Sequence, residues 1–150
     1  MADSAAQPAR SWGRRLFTAG GVWLLVLGAV HALSLVKPLA PQNDTERQLI
    51  ALMTGYKFNL LGSMRSMDNL LTGFSVSFML AALILGALAL MLRRQAAPLL
   101  KRVAFLYSIW LVAMVGVSLH YFFLIPLAFL IVGLLLFVGS CLTLASNSAA

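Results

Sequence analysis

The chain has 150 residues, of which only 10% are Asp, Glu, Lys or Arg and 61% are apolar. Soluble domains carry about 25% charged residues, and a water-soluble fold of this length has too little interior to hide the apolar surface behind a mean hydropathy of +0.94. An ordinary soluble domain is thereby excluded and the chain belongs in a bilayer. The net charge of +7 does not point to nucleic acid, because the basic residues flank apolar runs and do not alternate with aromatics along one surface. They read as topology signals and as contacts for anionic lipid.

Residues 1–15 are small and polar and end in Arg14-Arg15, which predicts a mobile cytoplasmic tail. The apolar run 16–36 then spans roughly 31 Å as a helix, about the hydrocarbon thickness of a bilayer. That is long for a signal-peptide core, and no small-x-small cleavage site follows it, so it reads as the first membrane helix, ended by Lys37-Pro38. The Pro-rich turn "PLAPQND" comes next, with Thr45 and Gln48 at capping-box spacing and Asn43 and Glu46 as a looser version. Asn43-Asp44-Thr45 also matches a glycosylation sequon, a signal of low specificity.

From there Leu49, Met53, Tyr56, Leu60, Met64 and Met67 recur every three or four residues. This spacing predicts an amphipathic helix over about 45–67, lying at the membrane interface and bent at Gly55 or Gly62. The second membrane helix follows over about 69–92, a run with no charged side chain, stopped by Arg93-Arg94. The third runs over about 103–123 after Lys101-Arg102, Pro126 marks a tight reversal, and the fourth runs over about 127–145, leaving 146–150 as a short tail. The expected fold is all-α: a four-transmembrane-helix bundle with an extra amphipathic interfacial helix between the first two membrane helices.

Loop charge sets the orientation. Arg10, Arg14, Arg15, Arg93, Arg94, Lys101 and Arg102 fall on one side, whereas Lys37, Arg47, Lys57 and Arg65 on the other are offset by Asp44, Glu46 and Asp68. The positive-inside rule then puts both termini in the cytoplasm. Small residues predict where helices approach closely. Ala82, Gly86 and Ala89 continue a face of the second helix that begins at Asp68, with Gly73, Ser77 and Ala81 beside it. Gly28 and Ala32 pair on the first helix, and Ala113, Gly116 and His120 align on the third. These rows suggest that the second helix is central.

The titratable groups collect near the outward ends of the membrane helices. His31 is late in the first, His120 late in the third, and Arg65 and Asp68 stand at the start of the second, with Tyr56, Asn59, Tyr121, Ser34 and Ser118 within the same layer. At i and i+3 on a helix Arg65 and Asp68 would pair, and Asp68 would suit the helix N-terminus. Such a pair serves equally as a structural clasp. Intramembrane ionisable groups are also default site candidates. The ligand-binding candidates are therefore His31, Arg65, Asp68, His120, Tyr56, Asn59 and Tyr121. Arg65 would hold an anionic or carbonyl group, and Asp68 would orient it or exchange a proton with a histidine.

His31, Met53 and then "YKFNLLGSMRSMDNLLTGFS" resemble the pattern of a group of uncharacterised small bacterial four-helix integral membrane proteins. These have a histidine in the first helix and an Arg-Ser-x-Asp-x-x-x-x-Gly-Phe-like segment entering the second. The matching positions are His31, Gly62, Arg65, Ser66, Asp68, Gly73 and Phe74. The likeness covers about the first 90 residues and departs from the group where Met67 and Asn69 replace aromatics beside Asp68. It implies a bacterial inner-membrane setting and carries no activity with it.

Three functions stay open. The first is a membrane protein or enzyme that binds a small amphiphile, whether lipid, isoprenoid or quinone, at the outer-leaflet cluster. The second is an accessory or assembly subunit that docks on a membrane-protein partner or a second copy. The third is a transporter component, ranked last because the charges sit at the membrane edges instead of at mid-depth. No P-loop, dinucleotide fingerprint or HExxH is present; the lone Cys141 cannot form an intrachain disulfide, has no Cys/His metal spacing around it, and reads as a buried structural thiol.

Overall fold

The computed structural model of the chain describes the backbone over residues 3–36 and 40–145, with side chains over 11–36 and 40–144. The expected helix stop at Lys37-Pro38 and the tail at 146–150 lie outside the described residues. In chain order the elements are α1 (Asp3–Val36), α2 (Asp44–Gly55), β1 (Lys57–Leu60), β2 (Ser63–Ser66), α3 (Met67–Leu92), α4 (Ala97–Tyr121) and α5 (Leu124–Ala145). Four of them, α1, α3, α4 and α5, are long and apolar enough to cross a membrane, with α2 as the extra short helix between the first two.

Local chemistry explains most boundaries. Helix α1 begins at Asp3, well before the expected Leu16, because Ala5, Ala6 and Ala9 are strong helix formers. Helix α2 is capped by Asn43, whose Oδ1 accepts from the Glu46 N–H at 2.8 Å. Glu46 reaches back to accept from the Gln42 N–H and from Asn43 Nδ2, so the looser of the two capping candidates is the one used. Helices α4 and α5 carry Pro98 and Pro126 in their first turns, where the missing N–H would have no intrahelical partner anyway.

The region between α2 and α3 departs most from expectation. Helix α2 ends at Gly55, and the stretch expected to carry it on to Met67 is instead an antiparallel hairpin, with Lys57 opposite Ser66 and Leu60 opposite Ser63. Leu61 and Gly62 form its tip, both with positive φ (50° and 88°), the pattern of a tight I′ turn. Asn59 Oδ1 accepts from the Gly62 N–H at 2.8 Å and locks that tip.

Helix α1 is the centre of the bundle, packed on α3 along one side and on α5 along the other, with α4 leaning mainly on α5. The sequence rows had suggested the second membrane helix. The glycines of α1 decide the matter: a Cβ on Gly20 would lie 2.8 Å from the Phe137 ring of α5, and one on Gly21 would lie 2.9 Å from the Ala89 Cβ of α3. On α3 the row Ala82, Gly86 and Ala89 is buried as expected, whereas Gly73, Ser77, Ala81 and the α4 row Ala113, Gly116, His120 are exposed.

The densest core lies toward the end that carries both termini. Phe17, Tyr107 and Phe137 interlock there with ring centroids 4.6–6.4 Å apart, beside fully buried Leu24, Leu100 and Ala104. Polar ties cross between helices: Ser140 Oγ donates to the Gly13 carbonyl, Tyr107 Oη to the Leu85 carbonyl, and Trp23 Nε1 to the Phe129 carbonyl. Arg14 reaches the Arg93 carbonyl at the end of α3, satisfying a group that the helix terminus leaves free. Cys141 is half-buried against this core.

Candidate functional site

Helix α3 enters the bundle through a capping box. Ser66 Oγ accepts from the Asn69 N–H at 3.2 Å, and Asn69 Oδ1 accepts from the Ser66 N–H at 3.3 Å. The N-cap is thus Ser66 and not Asp68, which sits in the first turn, where its charge suits the helix dipole. Because β2 runs straight into this cap, Arg65 is fixed directly above the first turns of α3.

Below it lies an open groove of about 480 Å³ lined by Arg65, Asn69, Leu70, Gly73, Phe74 and Ser77. The lining follows helix geometry: Asn69, Gly73 and Ser77 recur every four residues, with Leu70 and Phe74 as the adjacent row. Gly73 makes the floor, since a Cβ added there would meet nothing within 4 Å. Ser77 Oγ donates to the Gly73 carbonyl at 2.9 Å, and Phe74 is 73% exposed along one wall.

The expected Arg65–Asp68 pair does not form. Among the described residues the ion pair within 4.0 Å is Arg47–Asp44, at 3.3 Å. The i,i+3 argument needs both residues on one helix, and Arg65 belongs to strand β2. Its guanidinium instead donates to the Met64 carbonyl at 2.9 Å.

Of the seven sequence candidates, Arg65 lines the groove. Asp68 is exposed on α3, Tyr56 caps the C-terminus of α2, and Asn59 serves the hairpin tip. His120 is exposed and meets Tyr121 edge-on at 4.8 Å. His31 packs edge-on against Phe78 at 5.2 Å. Its Nε2 is enclosed without a hydrogen-bond partner, as is Ser118 Oγ. No hydrogen bond, ion pair or ring contact joins His31, His120, Arg65 and Asp68 to one another among the described residues. Asn69, Leu70 and Ser77 were not singled out as site residues, although the spacing of 69, 73 and 77 marks one helical track. Among the described residues no group of three His, Cys, Asp or Glu could hold a metal ion.

Comparison of the chain with protein-family models, curated proteins and solved structures finds no match. The reading of the site therefore rests on its own geometry.

Proposed function

We propose that this multi-pass membrane protein holds a small amphiphile, of the lipid, isoprenoid or quinone kind, in the groove where the hairpin meets α3. The observation that carries this reading is the groove itself: Arg65 and Asn69 stand at its head, Leu70, Gly73 and Phe74 continue it along a membrane helix, and Ser77 lies at its far end. The groove opens sideways from α3. We further place the groove in the outer leaflet of a bacterial inner membrane with both termini cytoplasmic. Support comes from Arg14, Arg15, Arg93, Arg94, Lys101 and Arg102 gathering at the opposite end of the bundle.

A second reading has its own support, because the open space at Gly73 equally admits a partner's helix, as an accessory subunit would require. Purification in mild detergent followed by mass spectrometry of what remains bound separates the two. A stoichiometric amphiphile that disappears in Arg65→Gln, with membrane insertion intact, is the expected result. An unchanged lipid and quinone content in that variant removes the groove reading, and a reproducible stoichiometric protein favours the subunit. For orientation, a cysteine at Arg94 in a Cys141→Ser background should resist membrane-impermeant label applied from outside, and labelling there reverses the topology.

A further inference from the structure

Resting on the groove reading above, we propose that the amphiphile is phosphate-headed, its anionic oxygens held by Arg65 and Asn69 and its chain lying over Leu70, Gly73 and Phe74. The polar inventory of the groove supports this choice. Arg65 has five guanidinium N–H groups, and one of its nitrogens is engaged, on the Met64 carbonyl. Asn69 must present its oxygen to the Ser66 N–H, which leaves both protons of Nδ2 free. The head of the groove therefore offers donors and asks for acceptors.

Asn69 Oδ1 has one of its two lone pairs taken by the Ser66 N–H, and the one hydroxyl of the lining, Ser77, lies about 12 Å further down α3, at eight residues of helical rise. A neutral quinone carbonyl would use one donor and leave the guanidinium charge without a counterion. A phosphate accepts from the guanidinium fork and from the amide together.

The charge balance agrees. Among the described residues no carboxylate comes within 4.0 Å of Arg65. Asp44 is paired with Arg47, and both oxygens of Glu46 accept hydrogen bonds beside α2. Asp68 is the remaining acid of this region; it is exposed, does not line the groove, and projects about 100° around α3 from Asn69. The first turn of α3 adds its positive dipole end at the same place.

The test uses the full chain in a neutral detergent with four probes: an alkyl phosphate, the alcohol with the same chain, a short-chain quinone, and inorganic phosphate. The expected result is that the alkyl phosphate binds about tenfold or more tighter than the alcohol and the quinone, the scale of a charge-assisted hydrogen bond. Arg65→Gln should remove most of that preference. Asn69→Asp should remove it too while keeping an acceptor for the Ser66 cap, so its loss does not depend on unfolding.

Equal binding of alcohol, quinone and phosphate, all abolished by Gly73→Leu, would overturn the phosphate head and leave the amphiphile groove standing. Inorganic phosphate binding as tightly as the alkyl phosphate would overturn the lipid-like body in favour of a free-anion site. Retention of no amphiphile at all would bring down the groove reading itself.

Discussion

At the end of the bundle that carries the termini, Phe17, Tyr107 and Phe137 fill the space between α1, α4 and α5, and glycines let the backbones close around them. At the hairpin end α3 and α4 each turn an open face outward. Gly73 and Gly116 face open space, Phe74 stands exposed, and α3 has little beside it but α1, the short α2 and strand β2. In lipid, where apolar side chains gain nothing by leaving the solvent, close packing is what holds helices together. The packed end therefore carries the stability, and the open end is free to present a surface.

The sharpest way to break this contrast is to empty one side chain at each end. Phe137 is 0% exposed and touches two other rings; Phe137→Ala should cost about 3 kcal/mol, the lower range for a buried aromatic, because lipid removes part of the transfer contribution. Phe74→Ala should leave stability almost unchanged. Equilibrium unfolding in mixed micelles measures both, and comparable losses would mean that the hairpin end is as tightly held as the other.

A single substitution made at two glycines should then change sign. A Cβ on Gly86 would stand 2.8 Å from the Gly21 carbonyl oxygen, which is backbone and cannot swing aside. Gly86→Ala should destabilise by about 1–3 kcal/mol, as overpacking does. At Gly116 there is nothing to meet, and Gly116→Ala should stabilise α4 by about 0.5–1 kcal/mol through helix propensity alone. The same unfolding assay reads both, and equal signs would contradict the packing just described.

Ser66→Ala probes the seam between the two regions. Loss of the N-cap should cost about 1 kcal/mol, confined to the first turn of α3, so that amide exchange quickens at Met67, Asp68 and Asn69 while the packed end is undisturbed. If exchange rises along the whole of α3, the hairpin end is coupled to the core and not an independent platform.

How much of this was legible in the sequence follows from which forces act. The four spans follow from apolar run length, and the buried row of Ala82, Gly86 and Ala89 from the need for close approach. The hairpin was missed because Tyr56, Leu60, Met64 and Met67 fit a helical period by coincidence. The competing signal, Lys57-Phe58-Asn59-Leu60 alternating before a turn, ends in Leu-Gly instead of the usual Asn-Gly. That error carried into the site: once Arg65 is assigned to a strand, its pairing with Asp68 lapses and it is free to head the groove. Shared depth in the membrane also could not distinguish side chains that meet from side chains that face different ways around the bundle, as His31 and His120 do not meet Arg65.

The hairpin tip gives the smallest expected effect. Leu61 holds a φ of 50° and is fully exposed, so it bears the left-handed penalty of about 1–2 kcal/mol without a packing contact to offset it. Asparagine tolerates that backbone region far better, and Leu61→Asn should recover part of the penalty, about 0.5–1 kcal/mol. Since Asn59 already locks the turn from the other side, the gain should appear as slower amide exchange within 57–66 and not as a change in the unfolding of the bundle. Faster exchange in Leu61→Asn would show that the leucine is held in place by an apolar contact at the tip, and the hairpin end would then be less open than the packing of α3 implies.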